Sequence, residues 1–317
     1  MPAAAGLLVV STALFRYLAF EGSSNDQFEH LAGAQQMLAG EWPTVDFFDP
    51  GMPLTYAASA GAQLLLGRTL FAEAVLNVVM LGLAAGCTLL AAYRLSGSVT
   101  IAAAAALLSV AIFPRAYAYP KLLVTAVAPL AIWAWLAHRT WSRLALMALA
   151  TVVAFLFRHD YAAYVGLAAV LTLMLAPGGW SEVVGRVSLF GVFAALLLVP
   201  YVLSLGGDVF AESIRAFIDF GRRHSDRTAL TFDTVGWTPE WQLFWGVQAL
   251  PIAALVWAVA DWRSGRGDAA PVVIPLCAMA VAANVLLIRD PLSARLADAA
   301  VPAALTGAWL AGRARQV

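Results

Sequence analysis

Eleven apolar runs divide this chain: residues 3–20, 52–66, 70–93, 99–113, 121–137, 143–157, 161–176, 184–205, 241–260, 270–288 and 296–311. Stretches such as AAAAALLSVAIF and LAAVLTLML show no period-2 alternation, so they do not read as strands with one wet face. One helix needs about 20 apolar residues to cross a bilayer. Lipid also obliges each spanning segment to satisfy its own backbone N–H and C=O groups, which leaves helices or closed barrels. The expected fold is an all-α polytopic membrane protein of about 10–11 transmembrane helices, a single domain over residues 1–317. Composition agrees: 62% apolar and 12% charged, where soluble domains sit near 45–50% and about 25%.

The first run, PAAAGLLVVSTALFRYLAF, lacks a basic leader and reads as a retained span rather than a signal peptide. The formal net charge is zero, and no nucleic-acid partner is expected. Of the 19 basic residues a single one, Lys121, is lysine. That arginine bias, with abundant alanine, fits GC-rich bacterial coding and a multi-pass protein of the bacterial inner membrane. Cys87 and Cys277 lie far apart in apolar runs and read as inert core thiols.

Two long polar segments interrupt the pattern, 21–51 and 206–240. Segment 21–51 has no Lys or Arg, so the positive-inside rule places it outside and the N-terminus in the cytoplasm. The terminal GRARQV reads as cytoplasmic too, which requires an even number of crossings. Reading 143–157 and 161–176 as one helix, bent at Arg158-His159-Asp160, restores that parity. It also puts 206–240 outside.

The first loop carries the chemistry. Residues 26–39 read as a short helix on the membrane surface, capped by Asn25 or Ser24. Phe28, Leu31, Ala34 and Leu38 fall on one side, and Asp26, Glu29 and His30 on the other. Pro43, Pro50, Gly51 and Pro53 then force a structured turn. The product is a carboxylate cluster at the mouth of a helical bundle. Its bland reading is a solvated external face. The sharper one is a general base, since a carboxylate near apolar surface can be tuned to accept a proton.

The residues Asp26, Ala39, Gly40, Pro43, Asp46, Phe47, Phe48, Asp49, Gly51 and Pro53 form a first-loop pattern. It resembles the GT-C class of membrane glycosyltransferases, and more narrowly the branch of protein mannosyltransferases and aminoarabinose transferases. FRHDYAAYVGLAAVL (157–171) and IRDPLSARLADAAVPAAL (288–305) look similar to bacterial members. Such proteins often carry Asp-Glu where this chain has Asp26-Gln27, and many are longer. The resemblance implies transfer of a sugar, with inversion, from a polyprenyl-phosphate donor to an external lipid, glycan or protein acceptor. It makes Asp26 the candidate base, with Glu29 as the alternative acid. Asp46, Asp49 and His30 become candidate acceptor or sugar contacts. It is compatible with a divalent metal, Mg or Mn, at Asp26.

Cationic residues would hold the departing phosphate, and Arg158, Lys121, Arg222, Arg223 and Arg289 are the candidates. Each has a plainer reading. Arg158 can pair with Asp160, Lys121 can be an interfacial anchor, and Arg289 can pair with Asp290. Arg222 and Arg223 follow an apolar stripe of Phe210, Ile214, Phe217 and Ile218, which reads as an interfacial helix at lipid headgroups. Trp237, Trp241 and Trp245 read as a membrane-interface belt. No His/Cys spacing suggests zinc. Two other functions suit the chain: a transporter or flippase with a helix broken at Arg158, and a non-catalytic membrane protein of the same fold.

Overall fold

The computed structural model describes residues 1–23, 25–225, 239–265, 269–284 and 296–315. Among the described residues every regular element is helical. They are α1 (Pro2–Leu18), α2 (Asn25–Leu38), α3 (Pro53–Leu66), α4 (Leu70–Ser96), α5 (Val99–Ala111) and α6 (Tyr119–Ala137). There follow α7 (Trp141–Phe157), α8 (His159–Leu175), α9 (Trp180–Leu205), α10 (Gly207–Ser225), α11 (Pro239–Arg263), α12 (Ala270–Asn284) and α13 (Ala300–Ala314). Single 3-10 turns precede α6 and α13.

This is an all-α membrane protein. Helices α4, α9 and α11, and α6 with its preceding turn, are long and apolar enough to cross a bilayer. α1, α5, α7, α8 and α12 are shorter apolar helices. α4 and α6 are well buried at the centre, while α9 shows nearly its whole length outward. Lipid supplies no hydrophobic drive between helices, so close packing must hold them, and small residues permit it. The core is accordingly rich in alanine. Gly82 and Gly86 let α4 lie directly on α1: a Cβ on either would meet the backbone or side chain of Val9 at 2.6 Å. Gly82 opposes Val9 and Gly86 approaches Ala5, so the two helices are antiparallel.

That pairing brings the start of α4 beside the end of α1, where Tyr17 and Phe71 meet edge to face. The end carrying α2, α10 and the first polar segment is called the loop face here. α3 begins there, because Thr55 Oγ1 donates to Phe157 O (3.2 Å) and His159 N–H donates to Gly51 O (3.0 Å). It also ends there, three residues before α4. Ser59 Oγ, midway along α3, donates to the Glu73 carboxylate at 2.5 Å. The run 52–66 is therefore not a crossing; it lies across the end of the bundle.

A second expectation also changes. α7 and α8 are not one bent helix. Arg158 is extended (φ −163°, ψ 119°), and Gly166 packs on Thr151 Cγ2, with a Cβ there at 3.5 Å. Residues at nearly matching distances on either side of Arg158 thus face each other, which is an antiparallel hairpin. Ten of the described helices run from end to end: α1, α4 to α9, and α11 to α13. Among the described residues α3 lies at the bundle end, and α7 and α8 are separate helices rather than one.

The opposite end collects arginines. Arg94, Arg139, Arg143, Arg186, Arg263, Arg313 and Arg315 sit there, with Glu182 and Asp261 among the described residues. Arg313 pairs with Asp261 through two bonds of 2.7 Å, and Arg315 donates to Ser98 Oγ at 2.7 Å.

Candidate functional site

Asp26 stands in the first turn of α2 with its side chain exposed. It lines a cavity of about 550 Å³ at the loop face, between the end of α1, the start of α2 and the segment before α6. Glu21 and Gln27 share the wall, and Arg16, Arg115 and Tyr117 form its cationic side.

Arg16 is the surprise. It lies in the last turn of α1, inside what hydropathy reads as a span, and is only 6% exposed. One nitrogen, Nη2, donates to Pro114 O, and the guanidinium lies 3.8 Å from the Phe113 ring centre. Nη1 is buried and has no hydrogen-bond partner among the described residues. A buried guanidinium without a facing carboxylate is costly, and polar atoms so placed are rarely left unmade.

Arg115 donates from Nη1 to Tyr117 Oη. That bond is the main cause holding its guanidinium above the ordinary range; Asp26 and Asp298 reinforce the effect. The cavity therefore carries two guanidiniums and two exposed carboxylates, Asp26 and Glu21.

The other residues expected at the site are spread more widely. Glu29 is exposed but lies off this cavity, beside the Tyr56 hydroxyl and within electrostatic reach of Asp49. His30 does not share the outer side with Asp26. It points inward, buried between Tyr56 and Tyr117, with Nδ1 3.8 Å from Glu73. The reason is the buried face of α2, which is Gln27, His30, Gly33 and Ala34, while Phe28 is half exposed. Tyr56 selects that face, since a Cβ on Gly33 would overlap its ring at 2.6 Å.

Asp46 and Asp49 build the turn. Asp46 Oδ2 accepts from Trp42 N–H (2.7 Å), and Asp49 Oδ1 accepts from Gly51 N–H (2.8 Å) and Met52 N–H (2.7 Å). Burial pushes the Asp49 carboxyl up, against those two backbone bonds. Gly51 is needed where it sits: φ is +94°, and a Cβ would meet the His159 ring at 2.6 Å.

Arg158 grips Asp160 in a fork, Nε to Oδ1 at 3.0 Å and Nη2 to Oδ2 at 2.8 Å. Lys121 forms an ion pair with Asp298, in the 3-10 turn before α13. Asp298 is in electrostatic reach of Arg115 and Arg158, and Lys121 of Asp160. An alternating ladder thus runs inward from Asp26 through Arg115, Asp298, Lys121, Asp160 and Arg158. Sequence reasoning missed Arg16, Arg115 and Asp298 as site members. Asp298 lay within the stretch 288–305 already singled out; Arg16 carried no signal that distinguishes it from an interfacial anchor.

α10 lies on the α7–α8 turn, with Phe210 near Phe155 and Phe217 edge-on to His159. Phe210, Ile214 and Phe217 face inward as the stripe requires, but Ile218 is exposed. Arg222 is exposed, 3.6 Å from Asp219, and does not line the Asp26 cavity. The Arg223 side chain and the whole of Arg289 lie outside the described residues, as do the side chains of His224 and Trp241 and the whole of Trp237.

No protein-family model, no curated protein and no solved structure matches this chain.

Proposed function

We propose that this chain is a membrane glycosyltransferase that moves a sugar from a polyprenyl-phosphate donor to an acceptor outside the cytoplasm. The observation that carries this reading is the juxtaposition in one cavity of an exposed carboxylate, Asp26, with two guanidiniums. One of these, Arg16, is buried and retains a donor without a partner among the described residues. A sugar phosphate presents the complementary groups. Its phosphate accepts from Arg16 and Arg115, and its anomeric carbon lies within the same space as the Asp26 carboxylate.

In the reaction, Asp26 accepts the proton of the acceptor hydroxyl or amine as that atom bonds to the anomeric carbon from the face opposite the phosphate. The bond from that carbon to the phosphate oxygen breaks, and configuration inverts. The guanidiniums stabilise the charge that develops on the leaving oxygen, which is where fixed dipoles and charges lower a barrier most. Glu21 and Asp26, on one wall, would hold a Mg or Mn ion, which binds through one or two carboxylates plus phosphate oxygens and would supply further charge neutralisation. Gln27, the buried neighbour of Asp26 in the chain, is uncharged.

The positive-inside rule makes the arginine-rich end cytoplasmic and the Asp26 cavity external. A bacterial inner membrane is the setting that supplies such a donor. The transporter reading loses the feature that raised it, because Arg158 marks a turn between antiparallel helices rather than a break within one.

Asp26→Asn keeps the size of the side chain and removes its basicity. Purified in detergent and given a polyprenyl-phosphate sugar, it should bind donor as wild type does and lose about 10²–10⁴-fold in transfer rate. A wild-type rate in this variant overturns the assignment of Asp26. If Glu29→Gln is the inactive variant instead, the base is one turn further along α2.

A further inference from the structure

A second polar cavity lies at the arginine-rich end, about 390 Å³ in volume, among the starts of α7 and α9 and the end of α6. It shares nothing with the Asp26 site. Arg139 and Arg186 line it and converge on one atom: Arg139 Nη1 and Arg186 Nη2 both donate to Pro177 O, at 3.2 and 3.0 Å. Two guanidiniums are thereby fixed side by side. The one acid among its described lining residues is Glu182, bonded to Arg186 at 2.8 Å with its own side chain 65% exposed. Two guanidiniums against one carboxylate leave the described lining of the cavity with a net positive charge.

The fold builds this arrangement deliberately. Gly178 has φ +151°, and a Cβ there would overlap the Arg186 guanidinium and the Glu182 carboxylate. The α7 and α9 N-termini both face this end, and neither receives a side-chain cap. Their amide ends add positive potential.

The surroundings identify the anion's source. Trp141 lines the cavity at 73% exposure, and Trp180, which opens α9, is 74% exposed. Exposed tryptophans at the ends of apolar helices mark the depth of lipid headgroups. The floor is apolar, made by Trp135, Leu144 and Leu189. A soluble anion needs no such floor or rim; a glycerophospholipid has an acyl body to lie on them. We propose that this cavity binds the phosphate headgroup of an anionic membrane phospholipid, gripped between Arg139 and Arg186.

The test uses the purified full chain, with phosphatidylglycerol and phosphatidylcholine as probes in native mass spectrometry and in thermal-shift titrations. Wild type should prefer phosphatidylglycerol by about tenfold or more, as two charge-assisted contacts would give. Arg139→Gln/Arg186→Gln should abolish the preference. Because Arg186 also ties down the 176–178 turn, Glu182→Gln supplies an independent readout: it removes the competing carboxylate and should strengthen binding. Equal affinity for the two lipids in wild type overturns the proposal. So does a preference that survives the double substitution, or that weakens in Glu182→Gln. Full competition by millimolar inorganic phosphate would show a free-anion site and overturn the lipid as its source.

Discussion

Arg16→Met separates a binding role from a structural one. The substitution removes a hydrogen bond from a charged donor to Pro114 O, worth about 1.5–3 kcal/mol, and a cation–π contact with Phe113, worth about 0.5–2 kcal/mol. Against that stands the cost of burying a guanidinium with no carboxylate in ion-pairing range among the described residues, itself several kcal/mol. Methionine fills the same channel with a flexible apolar chain. The two sides nearly cancel, so the variant should keep the wild-type melting temperature to within a few degrees, equivalent to about 1 kcal/mol either way. Binding of polyprenyl phosphate should fall by about 10- to 100-fold, the value of one lost charge-assisted contact of about 1.5–3 kcal/mol. Both quantities come from one titration followed by thermal unfolding in detergent. Unchanged affinity with a melting temperature lowered by 10 °C or so would refute the reasoning and make Arg16 a cap for the 113–115 turn.

Asp49→Ala should destabilise the fold by about 1–2 kcal/mol through loss of its two backbone bonds, whereas Asp49→Asn keeps the accepting oxygen. Since burial raises the folded-state value of Asp49 above 3.8, its carboxylate weighs against the fold as pH rises through that raised value. Asp49→Asn and wild type should therefore unfold alike below pH 3.8 and diverge in favour of the variant at neutral pH, a difference that thermal scans across pH would show. The flat placement of α3 is checked by single cysteines at Arg68 and Gln36. Both should react with an impermeant thiol reagent from one side of the membrane and a cysteine at Thr140 from the other; Arg68→Cys labelled together with Thr140→Cys would make α3 a crossing.

Most helices were legible because lipid leaves a chain few choices. An apolar run without alternation must become a helix, and the described helices fall close to the expected runs. The exception is instructive. PLTYAASAGAQLLL is as apolar as its neighbours, but Ser59 and Gln63, one turn apart, face Glu73 rather than lipid. Hydropathy sums a segment and cannot distinguish a helix that crosses from one that lies across the bundle end. The site was legible only on one side. Asp26 is local to a polar loop, where a linear pattern can single it out. Its cationic counterpart is assembled from Arg16, whose bonding partner Pro114 is 98 residues away, and from Arg115 in a short connection. Nothing in a linear pattern reports that closure. His30 shows the same limit: a helix with weak amphipathicity does not announce which face a tyrosine from α3 will claim.

The Lys121–Asp298 pair decides whether the charge ladder is scaffold or substrate contact. It joins α6 to the turn before α13, 177 residues apart, and both side chains are 10% exposed. Asp298→Asn removes the carboxylate of a buried ion pair, so it should cost about 3–5 kcal/mol. Lys121→Met/Asp298→Leu removes both charges and fills their volume, and replacements of this kind are often neutral. Arg158 keeps its own forked partner, Asp160, in either variant. The ladder read as scaffold predicts that the double variant recovers most of the lost stability and binds polyprenyl phosphate within about threefold of wild type, well inside one contact's worth of energy. Lys121 read as a phosphate ligand predicts something different: stability returns while affinity stays down by about tenfold or more. That second outcome would shift the phosphate from the Arg16 wall toward α6. The structure favours the first, because Lys121 already spends its charge on Asp298, whereas Arg16 Nη1 has no hydrogen-bond partner among the described residues.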